Sequence, residues 1–297
     1  MRRRRPDLFI VIHLYCVYID RTFIPTVLQL DPVFFILLCL LLGLFSGFLG
    51  GLLGIGGGVI IVPALYLLYD TTSRFDSNFI LIIAIATSLS CIIFTSASAS
   101  YAQYKKGMVQ WLIARKLLPS LLVGSMLSGI LVSSLDPSIL KIIIASFLAA
   151  VALVMISSWQ PKPERRLPGI AGSSLLGAGA GIASGSAGIA GGNIIVPTLI
   201  FFNVQPHHAT ATSSFLGIPI AMSGALGYFL VSPELVDPNL FGYVDKPAFI
   251  GIVLGAISGA PLGVRIAHRA SPQLLKKLFG ITLSLVSFRM FYDTLTG

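Results

Sequence analysis

From Pro32 onward the chain alternates long apolar stretches with short connections that hold nearly all of the charged residues. The apolar stretches are hydrophobic all round, without the period of two of a strand or the one-sided stripe of a surface helix, and most have the roughly 20 residues needed to cross a bilayer as a helix. The pattern predicts a glycine-rich stretch over 32–68, spans over about 78–104, 117–133 and 139–159, a second glycine-rich stretch over 169–203, and spans over about 208–231, 247–264 and 278–295. Composition agrees: 55% of residues are hydrophobic, 10% are charged, and the mean hydropathy is +0.91. The expected class is an all-α polytopic membrane protein.

The two glycine-rich stretches repeat each other. GFLGGLLGIGGGVIIVPAL at Gly47–Leu65 returns as GIASGSAGIAGGNIIVPTL at Gly181–Leu199, with the tail IIVP at the same offset. The chain therefore reads as a duplication: an N-terminal extension 1–31, a first repeat 32–160, a linker 161–168 and a second repeat 169–297. In the extension, Arg2–Arg5 precede an apolar run, Leu8–Ile19, without a small-residue cleavage pattern, and Asp20–Arg21 cut that run short. A retained extra helix over about 8–30 is the favoured reading, and an interfacial or upstream-start segment is the alternative.

Charge changes the picture only through its placement. The formal net charge of +9 would suggest nucleic acid as a partner for a soluble domain, but here the basic residues sit between apolar runs, where they set orientation and leave no nucleic-acid face. Loops 105–116, 160–168 and 265–277 are basic and read as cytoplasmic, whereas 70–77, 134–138 and 232–247 are acidic or neutral and read as external. For these sides to hold, each glycine-rich stretch must turn back as a hairpin of two short helices. A hairpin plus three spans is an odd number of crossings of the remaining kind, so the two repeats are expected in inverted topology.

Candidate chemistry centres on the breaks. GIGGG at Gly54–Gly58 lacks G-x-G-x-x-G spacing and a following Lys–Ser/Thr, so it is not a nucleotide fingerprint. Spaced glycines fit close helix packing, but consecutive glycines at Gly56, Gly57 and Gly58 weaken a helix and free the backbone. Broken helices restarting at about Val59 and Asn193 would aim amides and positive dipole ends at one centre, a cradle for an anion. The expected substrate-binding set is Gly54, Gly56, Gly57, Gly58, Thr87 and Ser88 in the first repeat, with Gly188, Gly191, Gly192, Asn193, Thr212 and Ser213 in the second. The hydroxyls follow in register, Ala86-Thr87-Ser88 matching Ala211-Thr212-Ser213, and could donate to an oxyanion without placing a charge in the membrane; bonding to their own helix backbone is the competing role. Pro63 and Pro197 are the expected hinges.

No Asp or Glu falls mid-span; Asp31, Asp136, Glu234 and Asp293 read as near-interface residues, so no carboxylate proton relay is expected. His207 and His208 read as boundary residues, Arg289 as a cation snorkelling to the outer interface, and Cys16, Cys39 and Cys91 as inert thiols. No metal site, cofactor or catalytic constellation is expected.

The motif pair G-x-x-G-I-G-G-G-x-I-x-x-P and G-x-x-G-I-A-G-G-N-x-x-x-P, each followed by the Ala-Thr-Ser sequence, resembles the sulfite exporter TauE/SafE family from about residue 33 to 295, including the basic turn at Ala267–Gly280. Ala190 stands where the first copy has Gly56. The resemblance implies a multi-pass protein of the cytoplasmic (inner) membrane that exports sulfite, a sulfonate or a related sulfur oxyanion. Ion-coupled uptake of another sulfur-containing or carboxylate anion is the alternative, and a structural helix bundle the non-transport one. The expected partners are a small anion and the lipid bilayer, and the pattern is compatible with a homo-oligomer.

Overall fold

The computed structural model describes residues 31–53, 56–105, 107–157, 168–232, 237–266 and 272–296. The expected N-terminal helix and Gly54 lie outside the described residues. Ten helices are described: α1 (Pro32–Leu53), α2 (Gly58–Thr72), α3 (Ile80–Tyr104), α4 (Trp111–Ser133), α5 (Pro137–Ile156), α6 (Ile170–Ser186), α7 (Gly192–Phe201), α8 (Pro206–Leu230), α9 (Lys246–Ile266) and α10 (Pro272–Thr296). Six of them, α1, α3, α4, α5, α8 and α9, are long and apolar enough to cross a membrane. The protein is an all-α polytopic membrane protein; a two-residue hairpin, β1 (Leu240–Phe241) with β2 (Val244–Asp245), interrupts the helical order before α9.

Both glycine-rich stretches break where expected, one residue earlier than the sequence suggested, at Gly58 and Gly192. Gly57 and Gly191 precede the new helices in the left-handed region, at φ 79° and 77°, a conformation that costs an L side chain roughly 1–2 kcal/mol. Each chain then turns back beside its incoming arm. A Cβ on Gly57 would sit 2.9 Å from the Ser46 carbonyl oxygen, and one on Gly191 would sit 3.1 Å from Ser184 Oγ. Both contacts reach back a turn or more from the break, which is the geometry of a hairpin. Pro63 and Pro197, the expected hinges, sit inside α2 and α7, where each withholds the N–H that would have met the carbonyl four residues earlier.

The other differences at element ends are small and have physical causes. α4 begins at Trp111 rather than 117, because exposed Arg115 and Lys116 can lie on a helix with their stems along apolar surface. α2 runs on through Asp70 to Thr72 and ends in a left-handed cap at Ser73. α5 starts cleanly at Pro137, with Asp136 accepting from the Ser138 amide at 2.8 Å.

Small residues set the closest helix pairs. α1 lies parallel to α9: side chains at Gly43, Gly47 and Gly51 would strike the backbone at Ile252, Ala256 and Ala260, and Gly255, Gly259 and Gly263 meet α1 from the other side. α6 lies parallel to α4 in the same way, with Gly177, Gly181 and Gly185 against Leu117, Leu121 and Ser128. α3 and α8 cross the centre antiparallel, Leu89 facing Gly224 and Ser96 facing Gly217. α5 packs on α10. Exchanging the two halves, α1–α5 for α6–α10, maps this set of pairings onto itself.

Candidate functional site

The two breaks meet at the centre of the molecule. Gly58 abuts the Gly188 carbonyl and Ile189, and Gly56 lies directly against Ala190. The Gly57 carbonyl accepts from Ile60 and Ile61, and the Gly191 carbonyl from Ile194 and Ile195, so the amides of Gly58, Val59, Gly192 and Asn193 precede the first bonds of α2 and α7. Ser88 Oγ donates to the Gly188 carbonyl at 2.9 Å, tying α3 of the first half to the break of the second. In this conformation the crossing is packed shut.

Around the crossing, four buried side chains have no hydrogen-bond partner: Ser96 Oγ, Ser184 Oγ, Asn193 Nδ2 and Ser213 Oγ. A buried hydroxyl or amide left without a partner costs about 1–3 kcal/mol, so these four groups are held at a cost in this conformation. Asn193 and Ser213 belong to the expected set. Ser96 and Ser184 do not, and sequence reasoning missed them: in the aligned halves they face Ala221 and Gly50, so the duplication gives no signal for either. Ser96 Oγ lies 2.8 Å from where a Cβ on Gly217 would stand and 3.2 Å from one on Gly56.

Thr87 and Thr212 have a different position from the rest. Thr87 Oγ1 accepts the Asp245 amide at 3.0 Å, and Thr212 Oγ1 accepts the Gln110 amide at 2.9 Å. Asp245 and Gln110 are the residues just ahead of α9 and α4, so each threonine clasps the start of a helix belonging to the other half.

The clasp at Asp245 carries a charge cluster that the sequence did not reveal. Asp245 is fully buried; Arg74 Nε lies 3.3 Å from its Oδ2 and Tyr69 Oη donates to Oδ2 at 3.0 Å. Arg74 Nη2 reaches Oδ1 at 3.5 Å, and the guanidinium lies over the Phe35 ring, 4.2 Å from its centroid. Burial raises the Asp245 pKa above the usual carboxylate value, with Arg74 and the Tyr69 hydroxyl pulling in the opposite direction. The residue reads as a solvated loop aspartate in sequence because its partners are some 170 positions away.

The clasp at Gln110 is neutral and open. A cavity of about 290 Å³ lies beside it, lined by Gln110, Ile113, Asn203, Val204, Gln205 and His208. His208 Nδ1 is 2.7 Å from the Met108 carbonyl, and its ring is 4.4 Å from that of His207. Arg289, read as snorkelling to the outer interface, pairs with Asp70 at 3.5 Å. Cys39 and Cys91 are free and buried, and no group of three metal-ligating side chains occurs among the described residues.

Comparison with known proteins decides the family. The family model described as "Sulfite exporter TauE/SafE" matches residues 39–290. This chain belongs to the TauE/SafE family. A "probable membrane transporter protein" of Haemophilus influenzae is 32% identical over 86% of this chain and 98% of its own length. One of Methanocaldococcus jannaschii is 30% identical over 89% of this chain and 99% of its own, and one of Bacillus subtilis is 26% identical over 86% and 99%. No solved structure matches. Membership makes the chain one of a family of membrane transporters.

Proposed function

We propose that this protein is an exporter of a small sulfur oxyanion, sulfite or a sulfonate first, built from two inverted-topology repeats in the cytoplasmic membrane. The inverted arrangement is supported by the antiparallel crossing of the equivalent helices α3 and α8 and by the exchange of partners in the α1–α9 and α6–α4 pairs. The charged loops orient it: the ends of α2 and α8 outside, the basic connection from α3 to α4 inside.

The observation that carries the substrate class is the meeting of two left-handed glycine breaks amid buried, unpartnered Ser96, Ser184, Asn193 and Ser213. Hydroxyl, amide and backbone N–H donors suit an acceptor-rich oxyanion, and helices restarting at Gly58 and Gly192 bring positive dipole ends to the same point. Because the crossing is closed, substrate reaches it when the two hairpins part.

The test is flux of radiolabelled sulfite and taurine-like sulfonates from sealed proteoliposomes. Saturable efflux accelerated by an interior-negative potential supports the reading, since that potential favours anion exit by about 2.3 kcal/mol per charge per 100 mV. Flux that requires a proton or Na⁺ gradient and ignores potential would replace export with coupled carriage; no saturable flux of any anion would leave a structural bundle. Cysteines substituted at Ser73 and Pro238 should react with an impermeant reagent from outside and one at Gly107 should not.

A further inference from the structure

The two threonine clasps are equivalent in position and unequal in strength. Both α2 and α7 end in the same cap, with Ser73 and Asn203 as the two non-glycine residues at positive φ among the described residues, 48° and 63°. In each cap the next residue donates back five positions, Arg74 to the Tyr69 carbonyl and Val204 to the Leu199 carbonyl. Arg74 therefore corresponds to Val204, and Asp245 to Gln110. α2 has 15 residues and α7 has 10, so from break to cap the first is about one turn longer. The extra turn carries Arg74 onto Asp245. Its lack in α7 leaves the cavity beside Gln110.

We propose that Arg74, Asp245 and Tyr69 are the outer gate of the transport pathway, closed in this conformation, and that the cavity beside Gln110 and His208 is its open inner counterpart. The proposal rests on the orientation given above. These are positioning residues: they hold the end of α2, in the first half, against the start of α9, in the second, and parting them frees the end of the first hairpin from the second half on the external side. The pair suits a contact that must break in each cycle. Its two nitrogen–oxygen distances are 3.3 and 3.5 Å, and Arg74 Nε makes no directed hydrogen bond, so this is not a tight bidentate fork.

A native reporter lies behind the gate. Cys39 is fully buried on α1, one turn deeper than Phe35, whose ring lies under the Arg74 guanidinium. In protein with Cys16 and Cys91 changed to serine, an impermeant thiol reagent applied outside should modify Cys39 slowly. Measured relative to modification by a small permeant thiol reagent, which reads the thiol's own reactivity, Asp245→Asn should speed that modification at least tenfold, and Asp245→Glu should leave it near the parent ratio. A cysteine placed at Ser125, buried between α4 and α8, should stay protected throughout.

Unchanged Cys39 modification in Asp245→Asn from either face overturns the gate and leaves the topology standing. A rise only from the inner face overturns the outward assignment together with the topology. A Ser125→Cys thiol that gains reactivity in step shows a cluster that merely holds the fold, which also overturns it. Where Asp245→Asn does not accumulate, Tyr69→Phe keeps the ion pair and loses one hydroxyl; a several-fold faster Cys39 modification supports the gate, and no change overturns it.

Discussion

The start of α9 and the start of α4 are held by the same device, a threonine hydroxyl from the opposite half accepting one backbone N–H, yet their surroundings have diverged. At α9 the clasped residue is Asp245, buried with Arg74 and Tyr69; at α4 it is Gln110, beside a cavity of about 290 Å³. The frames match, and what distinguishes the two clasps is one turn of helix and one pair of charges. A pseudo-symmetric transporter needs such a difference if one face is to be closed while the other is open.

The largest way to break the comparison is to remove the whole carboxyl from the closed side. Asp245→Ala takes the acceptor from the buried Tyr69 hydroxyl and from Arg74, and a buried donor left without its acceptor costs about 1–3 kcal/mol. Gln110→Ala keeps the clasped amide and should cost less than about 1 kcal/mol. Thermal unfolding in detergent should therefore fall by several degrees for the first and little for the second. Equal losses would mean that the two clasps are equivalent after all.

Transplanting the difference sharpens it. Val204→Arg with Gln110→Asp places the outer pair in the inner cavity, where both positions line the same space. The expected result is a drop of about tenfold in flux, equivalent to about 1.4 kcal/mol, with the protein as stable as the parent or more so. Either substitution alone should lower stability, because each introduces an unpaired charge.

The threonines test a point that the sequence left open between two roles. Thr87→Val and Thr212→Val each remove one acceptor for a backbone N–H and should each cost about 1 kcal/mol of stability. If clasping is their role, the KM for the anion stays unchanged. A rise in KM at normal stability would return them to the substrate set, where their position beside Ser88 and Ser213 placed them.

How far the sequence carries follows from which forces are local. The hairpin breaks were legible because glycine acts on its own backbone: Gly57 and Gly191 adopt the left-handed conformation that only glycine takes without strain. The helices were legible because apolar length is a property of a segment, and α2 and α4 outran the expected ends where Asp70, Arg115 and Lys116 let a helix continue past its apolar part. Ser96, Ser184 and the Arg74–Asp245 pair were not legible. A serine in an apolar helix has no local mark of an unmet hydrogen bond, and an aspartate in a loop rich in proline and glycine reads as solvated until its distant partner is brought to it. Thr87 shows the intermediate case: its register with Thr212 marks two equivalent positions, but only packing shows that the hydroxyl faces the α9 start.

The smallest expected effect is a pH dependence confined to the closed side. The charged and titratable groups facing Asp245 are Arg74, Tyr69 and the thiols of Cys39 and Cys91. Burial raises the Asp245 pKa, so the folded protein holds that proton more tightly than the unfolded chain. Its contribution to stability therefore falls as pH rises from the usual carboxylate value through the raised one. The gate has the opposite sign, because attraction to Arg74 needs the carboxylate charge and is lost as pH falls through the raised midpoint. Acidification should thus increase outward access, with a midpoint above that of an exposed carboxylate, without lowering thermal stability across the same window. Access can be read as the rate of Cys39 modification by the impermeant reagent divided by its rate with a small permeant reagent at each pH, which removes the thiol's own titration. Asp245→Asn should abolish both slopes, and Gln110→Ala should leave both in place. An access curve that keeps its slope in Asp245→Asn would assign the titration to another group and leave the outer clasp without a proton-sensitive part.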